Sequence, residues 1–272
     1  MLLSIITINY NGCDGLQKTI DSVISQTFRD FEWIVIDGGS TDGSRELIER
    51  YADHFSFWVS EPDKGVYNAM NKGIRIAKGD YLQFLNSGDW LYDETSLERC
   101  FSHPFTGDIV YGDVLFVKND EIIEKSHFPN PLTLRYFYRR SLGHNASFIK
   151  RELLQKDLYD ERFKIVSDWE FFLKQALNSC RFEYITETVS CFDMNGVSSV
   201  NHDLVNQERE IVLNELLPGM LVQDFKTMDE MEVALNKSHV KKVLEYGSKK
   251  RLYHKMITGF FSFLKGLDRI IN

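Results

Sequence analysis

The sequence predicts an α/β fold, a mostly parallel sheet flanked by helices, with a helical extension at the carboxyl end. Three observations carry that expectation. Short apolar runs alternate with helix-period runs over the first hundred residues, the pattern of parallel strands joined by crossover helices. The segment after each apolar run is polar and mostly acidic, and ligands of such sheets collect at the carboxyl ends of the strands. Beyond Asn201 the pattern is helical, broken near Pro218-Gly219 and Gly247.

Leu2–Asn9 is a short apolar run suited to a strand buried on both faces. Leu16, Ile20, Val23 and Ile24 recur at helical spacing. Phe31–Ile36 reads as the second strand, and Thr41–Tyr51 as a helix with Ser40 or Thr41 placed to cap it. Phe55–Val59 is the third strand, Val66–Ala77 a helix and Tyr81–Leu85 the fourth strand. The middle is less regular. Asp108–Val117 is strand-like around Tyr111-Gly-Asp113, Ser147–Ile149 is a short apolar piece and Asp168–Leu177 is a helix. Phe182–Ile185 and Val189–Phe192 read as two further strands. No repeat and no low-complexity linker occurs, so the simplest division is a body over residues 1–200 and a helical extension over 201–272.

The 272 residues, 43% of them hydrophobic, suffice for one large core. A net charge of −8 excludes whole-protein attraction to nucleic acid. From Asn236 onward nine Lys or Arg face two acids, so the tail is basic and the body strongly acidic. Cys13, Cys100, Cys180 and Cys191 form no CxxC pair, which suits a reducing cytosol and not a disulfide scaffold or zinc site. The first residues, Met-Leu-Leu-Ser-Ile-Ile, read as a strand and not a signal peptide. No run of about 18 apolar residues is found. These features predict a cytoplasmic location.

Glycine-rich phosphate loops of the GxxxxGK[ST] and GxGxxG kinds are absent, as are HExxH and GxSxG. Acids at strand ends remain as nucleotide-binding groups, because a carboxylate accepts from a base or ribose, or holds a cation against a diphosphate. Four ordered segments supply them: Ser4-Ile-Ile-Thr-Ile-Asn9-Tyr-Asn11, Ile34-Val-Ile-Asp37-Gly-Gly-Ser-Thr-Asp42, Glu61-Pro-Asp63-Lys64-Gly65-Val-Tyr-Asn68-Ala-Met-Asn71-Lys-Gly73, and Gly79-Asp-Tyr-Leu-Gln-Phe-Leu85-Asn-Ser-Gly-Asp89. In that order they resemble the family 2 glycosyltransferases. The resemblance spans roughly residues 2–200 and implies the GT-A fold, a Rossmann-like sheet, with a nucleotide-sugar half over about 1–100 and an acceptor half over about 101–200.

The resemblance also implies an inverting, metal-dependent, hexosyltransferase-type activity and assigns roles. Thr7 and Asn9 would line the nucleotide pocket, with Asp37 at the base and Asp63 close to it. Lys64 would face a phosphate, and a solvated loop lysine is the competing reading. Asp42 reads as a capping residue. Asp89 is the candidate ligand for Mg²⁺ or Mn²⁺. The family has acids where this chain has Asn86 and Gly88, so Asn86 would offer a neutral carbonyl oxygen at the donor site. Inverting transfer needs a carboxylate to deprotonate the acceptor hydroxyl; in Ser167-Asp168-Trp169-Glu170 the resemblance points to Asp168, and helix capping is the alternative. Glu170 lies about 200° around the helix from it. His144 and Asp113 are weaker acceptor-side candidates.

The expected partners are a nucleoside-diphosphate sugar, a UDP-sugar first, and a glycan or polyprenyl-linked acceptor. The expected setting is bacterial capsule, exopolysaccharide or O-antigen assembly. Residues 248–272 carry apolar positions at helical spacing punctuated by Lys and Arg. Such a helix either lies on an anionic membrane surface, giving peripheral attachment at the cytoplasmic face, or packs on protein. The rival from another class is a catalytically degenerate nucleotide-sugar-binding protein, which the reduced metal motif favours.

Overall fold

The structure, a computed structural model, describes residues 2–119, 121–194 and 201–237. It forms two compact units, one running through Leu216 and the other starting at Leu217. The first unit is built on one sheet. Strands β1 (Leu3–Asn9), β2 (Phe31–Asp37), β3 (Phe57–Ser60) and β4 (Tyr81–Phe84) are joined by helices α1 (Cys13–Ile24), α2 (Ser44–Arg50) and α3 (Val66–Ile76). After them come β5 (Trp90–Leu91), α4 (Ser96–Cys100), β6 (Ile109–Lys118), β7 (Glu121–Ser126), α5 (Leu134–Arg139), β8 (Ser147–Lys150), α6 (Arg151–Lys156), α7 (Ser167–Leu177), β9 (Phe182–Asp193) and α8 (His202–Leu216).

The strand order is β3-β2-β1-β4-β8-β6-β9-β5, with β7 paired to β6. The β3-β2-β1-β4 half is parallel throughout, because each strand returns through a crossover. β8 runs antiparallel to both β4 and β6 and joins the halves. Every residue of β1 is buried, as a strand covered by helices on both faces must be. Helix α1 buries Leu16, Ile20 and Val23, and α3 buries Tyr67, Met70 and Ile74. Each of the Leu, Ile, Val and Met side chains among them contributes about 1.5–3 kcal/mol relative to exposure. The core therefore sits on both faces of the parallel half, and the polar residues are left to the strand ends.

Several elements differ from expectation. Helix α2 starts at Ser44, after Gly43 at φ +97°, and not at Thr41. Ser40 cannot cap it, because its hydroxyl donates to Asp37 and accepts from the Asn11 amide. Asp42 does the capping from outside the helix: Oδ1 accepts from the Ser44 amide and hydroxyl, and Oδ2 accepts from the Cys13 amide at the start of α1. The two strands expected at 182–185 and 189–192 are one strand, β9, whose register against β6 shifts around Asp113; the bulge breaks the period-2 pattern that sequence reading relies on. Strand β5 and helices α4 to α6 are too short to give a periodic signal, and β7, Glu-Ile-Ile-Glu-Lys-Ser, lacks the apolar-polar alternation of a strand.

In the second unit α9 (Gly219–Lys237) starts at the Pro218-Gly219 break. The Pro218 carbonyl accepts from the Leu221 and Val222 amides. The expected helix over 248–272 and the break at Gly247 lie outside the described residues. Among the described residues no helix is long and apolar enough to cross a membrane.

Candidate functional site

The order of the parallel strands reverses between β1 and β4, so the crevice expected to receive a ligand opens at their carboxyl ends. Asn9, Asp37 and Ser60 end β1, β2 and β3 in register, Asn9 beside Asp37 and Asp37 beside Ser60. Their side chains therefore meet on one face. Asp37 Oδ1 accepts from Asn9 Nδ2 at 2.7 Å and from the Ser40 hydroxyl at 2.5 Å. Its Oδ2 accepts from the Ser60 hydroxyl at 2.6 Å and the Ser40 amide at 2.9 Å. Burial pushes the Asp37 carboxyl up, but these hydrogen bonds outweigh it and hold the group below the ordinary carboxylate value. Asn9 Oδ1 is buried without a partner, an acceptor left for a ligand.

Asp63 joins this group. A Cβ at Gly38 would stand 2.7 Å from Asp63 Oδ2, so the Asp63 carboxylate lies against Gly38 and a larger residue there would displace it. Asp63 Oδ1 accepts from the Gly65 amide. Lys64 is exposed beside it. Thr7 lies one pleat back from Asn9, buried in β1, and its hydroxyl accepts from the Trp33 indole N–H at 3.0 Å.

The Asn86–Asp89 turn lies at the end of β4 and is pinned from two sides. The Asp89 amide donates to the Asn86 carbonyl, with Gly88 at φ +100°. Thr19 of α1 donates to the Asp89 carbonyl and accepts from the Gly88 amide. The Ser87 amide donates to Ile8 of β1. Asp89 is buried, and its carboxylate accepts one hydrogen bond, from the Asp193 amide to Oδ1 at 3.1 Å. Burial, with the Asp193 charge nearby, pushes its carboxyl up to about 7, against the pull of His144 and that amide. Asn86 Oδ1 is buried and unpaired. Among the described residues no group of three His, Cys, Asp or Glu gathers as a cation cage. A buried carboxylate short of donors and an orphaned amide oxygen on one turn fit a hard cation shared with a diphosphate, whose oxygens and waters complete the shell. They do not fit a cage made of protein alone.

Asp168 is the second residue of α7, where the helix macrodipole favours a carboxylate. The loop before it is clamped. Glu208 of α8 accepts from the Lys164 and Ile165 amides, and Ser167 Oγ accepts from the Asp160 amide. The Trp169 indole donates to the Phe137 carbonyl, and the Arg209 guanidinium lies 4.2 Å from its ring. Asp168 Oδ1 accepts from the Tyr67 hydroxyl at 2.9 Å, and Oδ2 faces His144 Nδ1 at 3.2 Å. His144 Nε2 faces Asn86 Nδ2 at 3.1 Å. With the proton on Nδ1, the imidazole donates to Asp168 and accepts from Asn86. Burial opposes charge on His144, but the Asp168 hydrogen bond and the Asp168 and Asp89 charges raise its pKa. Glu170 turns away, buried and paired with Lys174 at 3.0 Å.

The fold thus brings Asn9, Asp37 and Asp63 into one group, and Asn86, His144 and Asp168 into a hydrogen-bonded line beside Asp89. Asp113 stands apart from that line. It is buried on β6, with the Tyr184 hydroxyl and His127 Nδ1 both at 2.7 Å and Lys125 Nζ at 3.5 Å. Tyr67, Asp193 and Ser60 escaped sequence reading. Tyr67 shares a helical face with Met70 and Ile74 and reads as core; only the α3–α7 approach shows where its hydroxyl goes.

A family model described as glycosyl transferase family 2 matches residues 4–164. Uncharacterized glycosyltransferases of two Mycobacterium tuberculosis strains are 36% identical over 203 residues, covering 72% of this chain and 77% of theirs. A PGL/p-HBAD biosynthesis glycosyltransferase of Mycobacterium bovis BCG is 32% identical over 180 residues, 62% of this chain and 68% of its own. Among solved structures, S. aureus TarS 1–349 in complex with UDP-GlcNAc superposes with a TM-score of 0.65 at 19% identity, covering 88% of this chain and 74% of that one. The mannosyltransferase PcManGT of Pyrobaculum calidifontis, in complex with GDP-Man and Mn²⁺, gives 0.53 at 19% identity, over 70% of this chain and 56% of that one. At such identity the superpositions speak to the fold.

Proposed function

The chain belongs to glycosyl transferase family 2, and from that premise we propose that it moves a hexose from a nucleoside-diphosphate sugar to a hydroxyl of a glycan or lipid-linked acceptor, with inversion. The observation that carries the reading is the placement of two carboxylates. Asp89 lies at the sheet's switch point without its share of donors, and Asp168 lies at a helix start, linked to the Asp89 turn through His144 and Asn86.

Asn9, Asp37 and Asp63 form the nucleoside pocket, with Thr7 behind it in the strand and Lys64 at its rim. Asp89 and Asn86 would hold a divalent cation, which when bound would offset charge on the departing diphosphate. Asp168 accepts the proton of the acceptor hydroxyl as its oxygen attacks the anomeric carbon. The bond to the diphosphate oxygen breaks on the opposite face, and the electron pair leaves with that oxygen. His144, and Asp113 further out, belong to the acceptor side. Solved structures of this fold bind UDP, UDP-GlcNAc and GDP-Man, which supports a nucleotide-sugar donor, a UDP-sugar first. A relative acts in PGL/p-HBAD biosynthesis, which supports a surface glycan or glycolipid setting. We also read residues 1–200 as the catalytic body, 201–272 as its extension, and 248–272 as a contact to the cytoplasmic face of the membrane or to protein.

The test is turnover of a panel of UDP- and GDP-sugars, with Mn²⁺ or Mg²⁺ and with water or simple glycosides as acceptors, by wild type and Asp168→Asn. Turnover by wild type and its loss in the variant support the reading. Full turnover in the variant removes Asp168 as base. Tight UDP binding with no turnover of any donor favours the degenerate binding protein.

A further inference from the structure

We propose that Tyr67 and His144 are positioning residues that fix the Asp168 carboxylate for proton abstraction, and that the Tyr67 hydroxyl changes partner when the proton arrives. The inference rests on the reading of Asp168 as base. Each Asp168 oxygen meets one donor from a distant element: Tyr67 of α3 on Oδ1, and His144, just before β8, on Oδ2. A carboxylate oxygen has two lone pairs, so each keeps one for an incoming hydroxyl, while two contacts on opposite sides fix the plane of the group. The far side of the imidazole is itself anchored on Asn86, in the turn that carries Asp89. The Tyr67 ring is held independently of its hydroxyl, packed against Tyr159, which packs in turn on Phe84 and Phe171.

The phenol stands between two acceptors, 2.9 Å from Asp168 Oδ1 and 2.6 Å from the Ile165 carbonyl. It has one proton. Burial, followed by the Asp168 charge, raises its pKa well above the ordinary tyrosine value, so that proton stays. While Asp168 is ionised, turning the O–H to Ile165 would set a phenol lone pair against a buried carboxylate lone pair, so the hydroxyl donates to Oδ1. When the acceptor's O–H bond breaks and a new O–H bond forms on Asp168, the demand for that donor falls. The Tyr67 O–H then turns to the Ile165 carbonyl. The change is a rotation about the phenol C–O bond, Tyr67 keeps its own proton, and both protonation states of the base are met by a prearranged partner. That lowers the reorganisation needed at the moment of reaction.

The experiment compares wild type with Asp168→Asn, Tyr67→Phe, His144→Asn and His144→Gln. The readouts are kcat and donor KM on the sugar nucleotide wild type turns over, UDP binding with Mn²⁺ by calorimetry, and thermal midpoint. Tyr67→Phe keeps the ring and loses the O–H; kcat falls about tenfold or more, while donor KM and UDP binding stay at wild type. His144→Asn sets an amide where Nδ1 stands and keeps more kcat than His144→Gln, whose amide stands where Nε2 does. Wild-type kcat in Tyr67→Phe and His144→Gln, beside an inactive Asp168→Asn, overturns the positioning role and leaves the base in place. A fall in kcat matched by a rise in KM and a lower thermal midpoint also overturns it, since that is the signature of a structural role. Full activity in Asp168→Asn overturns the base reading itself.

Discussion

Asp37 ends β2 and Asp89 ends the turn after β4, and both are buried, at 0% and 5% exposure. Around Asp37 the chain gathers Asn9, Ser40 and Ser60, so its carboxyl titrates below the ordinary value in spite of burial. Around Asp89 it offers one backbone amide, and the carboxyl is pushed up to about 7. The difference separates two uses of a buried acid. The Asp37 carboxylate is satisfied by donors of its own chain and held in one orientation by them. Asp89 is left short of donors, a condition that a cation relieves.

The largest break in this contrast comes from Asp37→Ala. It strands the donors of Ser40, Ser60 and Asn9, and should cost on the order of 3 kcal/mol in a urea melt, with loss of UDP binding by calorimetry. Unchanged stability would show that the network is not what stabilises the buried carboxylate. Asp89→Ala is the converse. Metal-dependent turnover should drop about a hundredfold, while the thermal midpoint without metal does not fall, because few donors are stranded. A large loss of stability there would erase the distinction.

Acid sharpens the contrast further. The folded state holds the Asp37 proton less readily than the unfolded chain, whose carboxyl has the ordinary value of 3.8. The stability this gives is complete above about pH 4 and is lost as pH falls through the lower folded value. The gap in thermal midpoint between wild type and Asp37→Asn should therefore hold at about pH 6 and shrink below about pH 4. The smallest effect belongs to Asp42, an acid a few residues along whose contacts are a cap and a tie to α1. Asp42→Ala should cost about 1 kcal/mol and leave turnover unchanged.

The parallel half of the fold was legible because short apolar runs alternate with helix-period runs, and the loops at its edge hold the polar residues. The acids at those loops were legible by position: Asp37, Asp63 and Asp89 follow strands, and Asp168 opens a helix. What each acid meets was not. The register that sets Asn9, Asp37 and Ser60 side by side is a property of pairing between strands. Thr7 lies in a strand buried on both faces, so alternation gave no hint that its hydroxyl turns to Trp33. Tyr67 and His144 reach Asp168 from 101 and 24 residues away, a distance no local pattern spans.

The most direct test is a crystal grown with UDP and Mn²⁺, with anomalous scattering measured at the manganese edge. The account predicts a peak within coordination distance of the Asp89 carboxylate and the diphosphate, and none at Asp37. A manganese peak on Asp37 or Asp63, or a diphosphate bound with no peak at Asp89, would contradict it.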